Sequence, residues 1–299
     1  MFILYCIITA VVWGMGEMLY KAGARENESN SHLKTAVLVG IALGLHAIFT
    51  LLVTDINYNP INIVMYLPVS FFYILAMIIA YFGYKFLEDS IVAPINNSGG
   101  SIAAILCAIF LKETLNIPSI IGIFLIGFGI ISIGFIESRR ETKKNKTNMR
   151  VVSVILAVIY AFLDSVGELL DAMWLDIETT HLVGVTEKNI EMVANTSYEL
   201  TFLILAGIFG LYLFLKHDKL DIKNQKAKIG AAVLEVVGQY TYIYAMSGKA
   251  SVAAPIISST CIFSMLFAHI FLKEKLTVKE YISIFIVIIG IFILSIYWE

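Results

Sequence analysis

The chain has 299 residues, of which 59% are hydrophobic and 15% charged, with a mean hydropathy of +0.84 and a formal net charge of −2. A soluble domain carries charge at nearer a quarter of its positions, so the excess apolar surface has to face lipid. Long apolar runs without strict alternation select helices over a β-barrel, and a near-neutral chain lacking basic tracts interleaved with aromatics offers nothing to nucleic acid.

A spanning helix needs about 20 mostly apolar residues. That measure predicts ten spans, at 2–21, 34–53, 62–84, 90–111, 117–136, 151–173, 190–215, 228–246, 251–272 and 278–297. The first lacks the basic n-region of a signal peptide, carries Glu17 and Lys21, and reads as a membrane helix. Trp13, Glu17 and Tyr20 form a stripe along it, and Glu17 can also pair with Lys21 one turn on. In the second span, Gly40 and Gly44 have the spacing of a close helix contact, and His46 reads as an interhelical hydrogen-bonding residue rather than a proton shuttle.

The fourth span opens with Ala93-Pro94, followed by the small and polar run Asn96 to Ser101. The ninth carries Ala254-Pro255, followed by Ser258 to Cys261. Pro94 and Pro255 are candidate helix breaks, each removing a backbone donor. Either the broken turn offers backbone groups to a substrate or the small residues let helices pack closely, and close packing is favoured. Segment 137–150 is basic and reads as a linker.

Charges deep in a span are costly and mark a water-filled or ligand-filled cavity. Asp164 lies near the middle of the sixth span, Glu235 near the middle of the eighth and Glu199 about a third of the way along the seventh, with no Lys or Arg at comparable depth. Tyr160, Asp164, Glu168 and Asp171 share one face of the sixth span, and Glu235, Gln239 and Tyr242 one face of the eighth. Asp171 is expected near the outer interface in contact with water. Glu191 suits the positive end of a helix dipole. No His or Cys stands at metal-ligand spacing. Cys6, Cys107 and Cys261 sit singly in apolar runs and read as small core residues.

The chain contains an internal repeat. Ala93-Pro94 leads into a helix ending Phe110-Leu111-Lys112-Glu113, and Ala254-Pro255 into one ending Phe271-Leu272-Lys273-Glu274; 94 to 255 and 113 to 274 are both offsets of 161. A weaker echo joins Gly16-Glu17-Met18-Leu19 to Gly167-Glu168-Leu169-Leu170 at an offset of 151. The expected fold is therefore an all-α membrane protein of ten transmembrane helices. Residues 1–136 and 151–299 each form a five-helix repeat, and an odd number of spans per half makes the two repeats inverted. Lys and Arg concentrate in loops after odd-numbered spans, which places those loops in the cytoplasm and both termini outside a plasma membrane.

Ten spans in two halves, Trp13-Gly14 in the first helix, and an Ala-Pro helix closing on Phe-Leu-Lys-Glu in both halves resemble the EamA-type branch of the drug/metabolite transporter superfamily. The resemblance implies a carrier working by alternating access, with a central cavity lined by the first four helices of each half. It implies no cofactor and leaves monomer or homodimer open. The chain departs from the family in lacking basic residues beside the N-terminus, and many relatives keep both termini inside.

Carboxylates beside aromatic rings suit an organic cation, held by charge and by ring quadrupoles worth about 0.5–2 kcal/mol. The same acids can bind protons, so cation and proton compete. The expectation is proton-coupled secondary transport of a cationic or zwitterionic amine, with Asp164, Glu168, Glu199, Glu235, Gln239 and Glu17 as binding or coupling residues and Trp13, Tyr160 and Tyr242 as the aromatic wall. The competing expectations are an exporter of neutral amino acids or hydrophobic drugs, and a sensor that keeps a transporter fold without turnover. No nucleophile elbow, metal spacing or phosphate-cradling loop argues for an enzyme.

Overall fold

A computed structural model describes residues 2–23, 28–86, 98–140, 147–273 and 275–298. Pro94, in the fourth expected span, lies outside the described residues. The described residues form α1 (Phe2–Gly23), α2 (Ser31–Val53), a single turn α3 (Asn62–Met65), α4 (Leu67–Phe86), α5 (Gly99–Phe110), α6 (Ile117–Arg140), α7 (Thr147–Leu175), α8 (Ile190–Leu215), α9 (Lys226–Met246), α10 (Ala250–Ile257), α11 (Thr260–Phe271) and α12 (Val278–Tyr297), with no strand. Five stretches are long and apolar enough to cross a bilayer: α1, α2, α8, the α10–α11 pair and α12. Leu67–Phe82, Gly99–Phe110 and Ile117–Ile133 are shorter apolar helices.

Two expected spans are not single helices. The third begins with the turn α3 and restarts at Leu67, just before Pro68, a residue suited to a helix's first turn because that turn's donors have no intrahelical partner. The ninth divides at Ser258-Ser259. Pro255 lies inside α10, which ends two residues later, and the Ser259 and Thr260 hydroxyls donate to the carbonyls of Ile256 and Ile257 at 2.6 and 2.7 Å. The backbone groups released at the break are thus partly satisfied by side chains, as an apolar setting demands.

Helices meet where small residues let them. A Cβ added to Gly40 would lie 2.3 Å from the Phe202 carbonyl oxygen, so α2 rests directly on α8. A Cβ added to Gly100 would lie 2.5 Å from the Ala254 carbonyl oxygen, which brings α5 onto the broken helix α10. The other broad contacts join α1 to α9 and α11, α4 to α7, α5 to α7 and α6 to α12. Ile, Leu and Phe side chains such as Leu52, Phe124, Phe214 and Phe285 remain exposed around the outside, as a lipid-facing surface requires.

The repeated Phe-Leu-Lys-Glu motif has a structural explanation. Leu111 and Leu272 close their helices, and Lys112 and Lys273 both turn the chain in the left-handed region, at φ 56° and 58°. Glu113 then reaches across to the start of α10, accepting from the backbone N–H groups of Ala250 at 3.2 Å and Ser251 at 3.0 Å and from the Ser251 hydroxyl. A carboxylate at a helix N-terminus satisfies orphan donors and meets the positive end of the dipole. At α12 a capping box does the same: Glu280 N donates to Thr277 Oγ1 while the Thr277 backbone N–H donates to the Glu280 carboxylate.

Replacing Glu113 by Ala removes a cap and is expected to cost about 1–2 kcal/mol, whereas Lys112→Gly, at a position glycine prefers, is expected to leave stability unchanged or raise it by up to about 1 kcal/mol. Thermal unfolding of purified protein in one detergent checks both. A Lys112→Gly loss as large as that of Glu113→Ala would contradict the turn as described.

Candidate functional site: an acidic, aromatic cavity

The three stripes expected from the sequence converge on one cavity of about 900 Å³, mouth included. From α1 come Trp13, Glu17 and Tyr20; from α7, Tyr160, Asp164 and Glu168; from α9, Glu235, Gln239 and Tyr242. Helical spacing explains the convergence, because residues three and four apart stack on one face and each such face is the one turned inward. α4 closes the fourth side with Tyr73, Met77 and Tyr81, and Tyr198 of α8 completes the aromatic wall. The break between α10 and α11 also reaches the cavity, through Ile257, Ser258 and Thr260.

The phenols bind the acids and one another. Tyr20 donates to Glu235 Oε2 at 3.2 Å, and Tyr81 donates to the Tyr20 oxygen at 3.4 Å. The Trp13 and Tyr242 rings stack with centroids 5.1 Å apart, the Tyr73 and Tyr242 hydroxyls share a hydrogen bond, and Tyr73 lies edge-on to Tyr198 at 5.9 Å. Glu168 is 5% and Gln239 2% exposed, and Glu168 Oε2, Gln239 Nε2 and Trp13 Nε1 are buried polar atoms with no protein partner. Among the described residues, four carboxylates line this space and no Lys, Arg or His does.

Asp171 is not where the sequence suggested. It is 1% exposed rather than solvated, because Tyr66, at the junction of α3 and α4, covers it and donates its hydroxyl to the carboxylate. Two residues of the expected set lie outside the cavity. Glu199 faces α2, where it accepts from Asn195 at 3.0 Å and lies 2.7 Å from His46 Nδ1, and it is fully buried. Pro255 sits one turn above the lining residues of its helix. Glu191 stands in the first turn of α8, as its dipole reading expects. Tyr73, Tyr81 and Tyr198 carry much of the site and were not singled out from the sequence, where the one signal for them is weak: a tyrosine inside an apolar span needs a hydrogen-bond partner when buried.

An apolar helical exterior around a partly open acidic and aromatic cavity is the architecture of a multi-pass membrane protein with room for a small solute. The comparisons with known proteins agree. A sequence model of the EamA-like transporter family matches residues 1–135 and 182–296, so the chain belongs to that family, whose members are transporters. An uncharacterized protein of Methanocaldococcus jannaschii is 38% identical over 97 residues, which cover 31% of this chain and 71% of that one. A protein of known crystal structure is similar in fold, with a TM-score of 0.73 at 12% sequence identity, over 98% of this chain and 96% of that one.

Burying carboxylates without a compensating cation is destabilising, and the neutral amide isostere removes the charge while keeping the shape. Asp164→Asn and Glu168→Gln are therefore expected to raise the thermal midpoint of the ligand-free protein by a few degrees, as substitutions that trade function for stability do. Differential scanning measurements at neutral pH read this, and a lower midpoint for both variants would contradict it.

Proposed function

We propose that the protein is a secondary active transporter of a small organic cation. Its substrate would be a cationic amine, or a zwitterion anchored by its amine, carried by alternating access with proton coupling. The observation that carries this reading is the lining itself: among the described residues, Glu17, Asp164, Glu168 and Glu235 surround one space with six tyrosines and Trp13, and no Lys, Arg or His lines it. An ammonium group entering it gains charge attraction from the acids and about 0.5–2 kcal/mol from each well-placed ring face. Glu235 and Asp164 are the leading ligands, one on each side of the cavity, and a proton bound at either competes with the cation.

The architecture proposed with it is ten spans in two inverted five-helix repeats, 1–136 and 151–299, joined by the basic linker 137–150. Three observations support it. The contact of α1 with α9 has a counterpart in that of α4 with α7, and the contact of α1 with α11 in that of α5 with α7, which are the pairs an inverted repeat exchanges. The repeated Lys112 and Lys273 share a rare backbone conformation. The Methanocaldococcus jannaschii relative is less than half as long as this chain. By the distribution of Lys and Arg, the basic loops face the cytoplasm of a plasma membrane, with the termini outside.

The test is binding followed by transport. Purified protein is screened by thermal shift against putrescine, choline, an aromatic amine, alanine and a nucleoside; a ligand at 100 times its Kd adds about 2.7 kcal/mol of stability. One or more of the amines should raise the midpoint, and Glu235→Gln should weaken that ligand at least about tenfold, the loss of one charged contact of roughly 1.4 kcal/mol or more. In proteoliposomes the same amine should be driven by an imposed pH gradient. A midpoint raised only by the nucleoside, or by alanine with no weakening in Glu235→Gln, would favour the neutral-solute exporter. Amine binding without movement would favour a sensor, and no response to any amine would sink the cation reading.

A further inference from the structure

At one end of the bundle, four charged side chains join loops from the two halves of the sequence. Lys228, in the first turn of α9 and 1% exposed, donates to Glu28 Oε2 and to the Ser31 hydroxyl, both at 2.7 Å. Lys34, in the first turn of α2 and 5% exposed, lies 2.7 Å from Asp218 Oδ1 and 3.6 Å from Glu28 Oε1. Asn30 donates to Asp218 at 2.9 Å, and Gln225 donates to Glu28. Burial works against ionisation of Glu28, yet the bond and charge of Lys228, with Gln225 and Ser31, hold its carboxyl below the usual carboxylate range.

These pairs differ from ordinary surface salt bridges, which contribute little because water competes for both partners. Here both ammonium groups are buried, so removing a carboxylate takes away a counterion that water cannot readily replace. The arrangement is also crossed. Glu28 and Lys34 precede residue 136 and bind Lys228 and Asp218, which follow residue 151, so parting the halves at this end breaks both pairs. Water entering between the halves can solvate all four of these groups without any ligand.

The network sits over the cavity. Tyr20 is eight residues before Glu28 on α1 and its loop, and Glu235 is seven residues after Lys228 on α9, about two helical turns away. The Lys228 stem packs against α1 at Gly23, where an added Cβ would lie 2.8 Å from its Cγ. The cavity-lining residues nearest the network along α1 and α9 are Tyr20 and Glu235, which are bonded to each other, and the Tyr20 ring pairs with that of Tyr81 at 5.1 Å.

We propose that Glu28, Lys34, Asp218 and Lys228 form an ionic latch that closes the cavity at this end of the bundle, and that its opening is the step that exposes the cavity there. The inference rests on the cavity being a transport site, but its test reads access rather than turnover. The full chain, with Cys6, Cys107 and Cys261 replaced by Ala, carries Ala80→Cys in the cavity wall as the reporter. Right-side-out and inverted vesicles are treated with a membrane-impermeant maleimide, and the labelling rate is measured for each face.

Glu28→Gln or Lys228→Met should raise labelling from the latch face on the order of tenfold, with none of that gain from the opposite face. The exchange Glu28→Lys with Lys228→Glu should bring the rate back toward that of the parent. The latch is overturned if the single variants label at the parent rate, or if labelling rises equally from both faces, which marks a loosened bundle instead. A latch that opens as described in a protein that transports no amine would leave the latch standing and overturn only the substrate reading.

Discussion

The constraint on which this molecule turns is the cost of holding several carboxylates around one cavity in an apolar bundle where, among the described residues, no Lys, Arg or His lines the same space. A bilayer-embedded helix satisfies its own backbone, so helix packing alone would give a stable, dry bundle. Acidic side chains on three inward faces prevent that. They need hydroxyl donors, water, protons or a cationic ligand, and the surrounding tyrosines supply only part of the demand: Glu235 has Tyr20 and Asp171 has Tyr66, while Glu168 keeps a buried oxygen without a protein partner. The ring of aromatic side chains follows from the same need, since a phenol gives apolar area to the packing and a donor to the acid.

The contrast with Glu199 sharpens the point. It is equally buried, but it meets His46 across the α2–α8 contact, accepts from Asn195 one turn earlier on its own helix, and does not line the cavity. Its partners lie on helices that Gly40 brings into direct contact, so the pair fastens two helices and adds a titratable group to a tight interface. An acid with a basic partner across a close-packed seam and an acid facing open space have different chemistry, although both look alike as isolated charges in apolar runs.

That similarity explains what could be read from the sequence. The stripes on α1, α7 and α9 were legible because helical periodicity alone sets which residues share a face, and polar residues repeated on one face of a membrane helix have to face something other than lipid. The interhelical hydrogen bond expected of His46 is present, but that Glu199 is its partner was not legible, because their meeting depends on which way two distant helices are rotated. Asp171 was placed in water because its depth was judged by distance along α7, whereas its cover comes from Tyr66 on another segment. The tyrosines of α4 were silent for the same reason. The division of the ninth span was half visible in Pro255, but the break falls at Ser258-Ser259, where side-chain hydroxyls take up the freed carbonyls. The recurrence of Phe-Leu-Lys-Glu was plain in the sequence; the left-handed turn that Lys112 and Lys273 share, and the cap that Glu113 makes in the first copy, were not.

The halves of the chain are unequal in charge, and this has a consequence for how the site works. Glu17 comes from the first half, while Asp164, Glu168 and Glu235 come from the second, and the first half answers with Trp13, Tyr20, Tyr73 and Tyr81. If two inverted repeats provide two equivalent ways of packing, one closed at each end, sequence differences between them must set which state is preferred. A ligand shifts that balance only through the difference between its affinities for the two states. On the proposed reading, a cation held between acids on α7 and α9 and rings on α1 and α4 would touch both halves. Its binding free energy would then change whenever one half moved against the other, which is the condition for a bound solute to bias the motion that carries it.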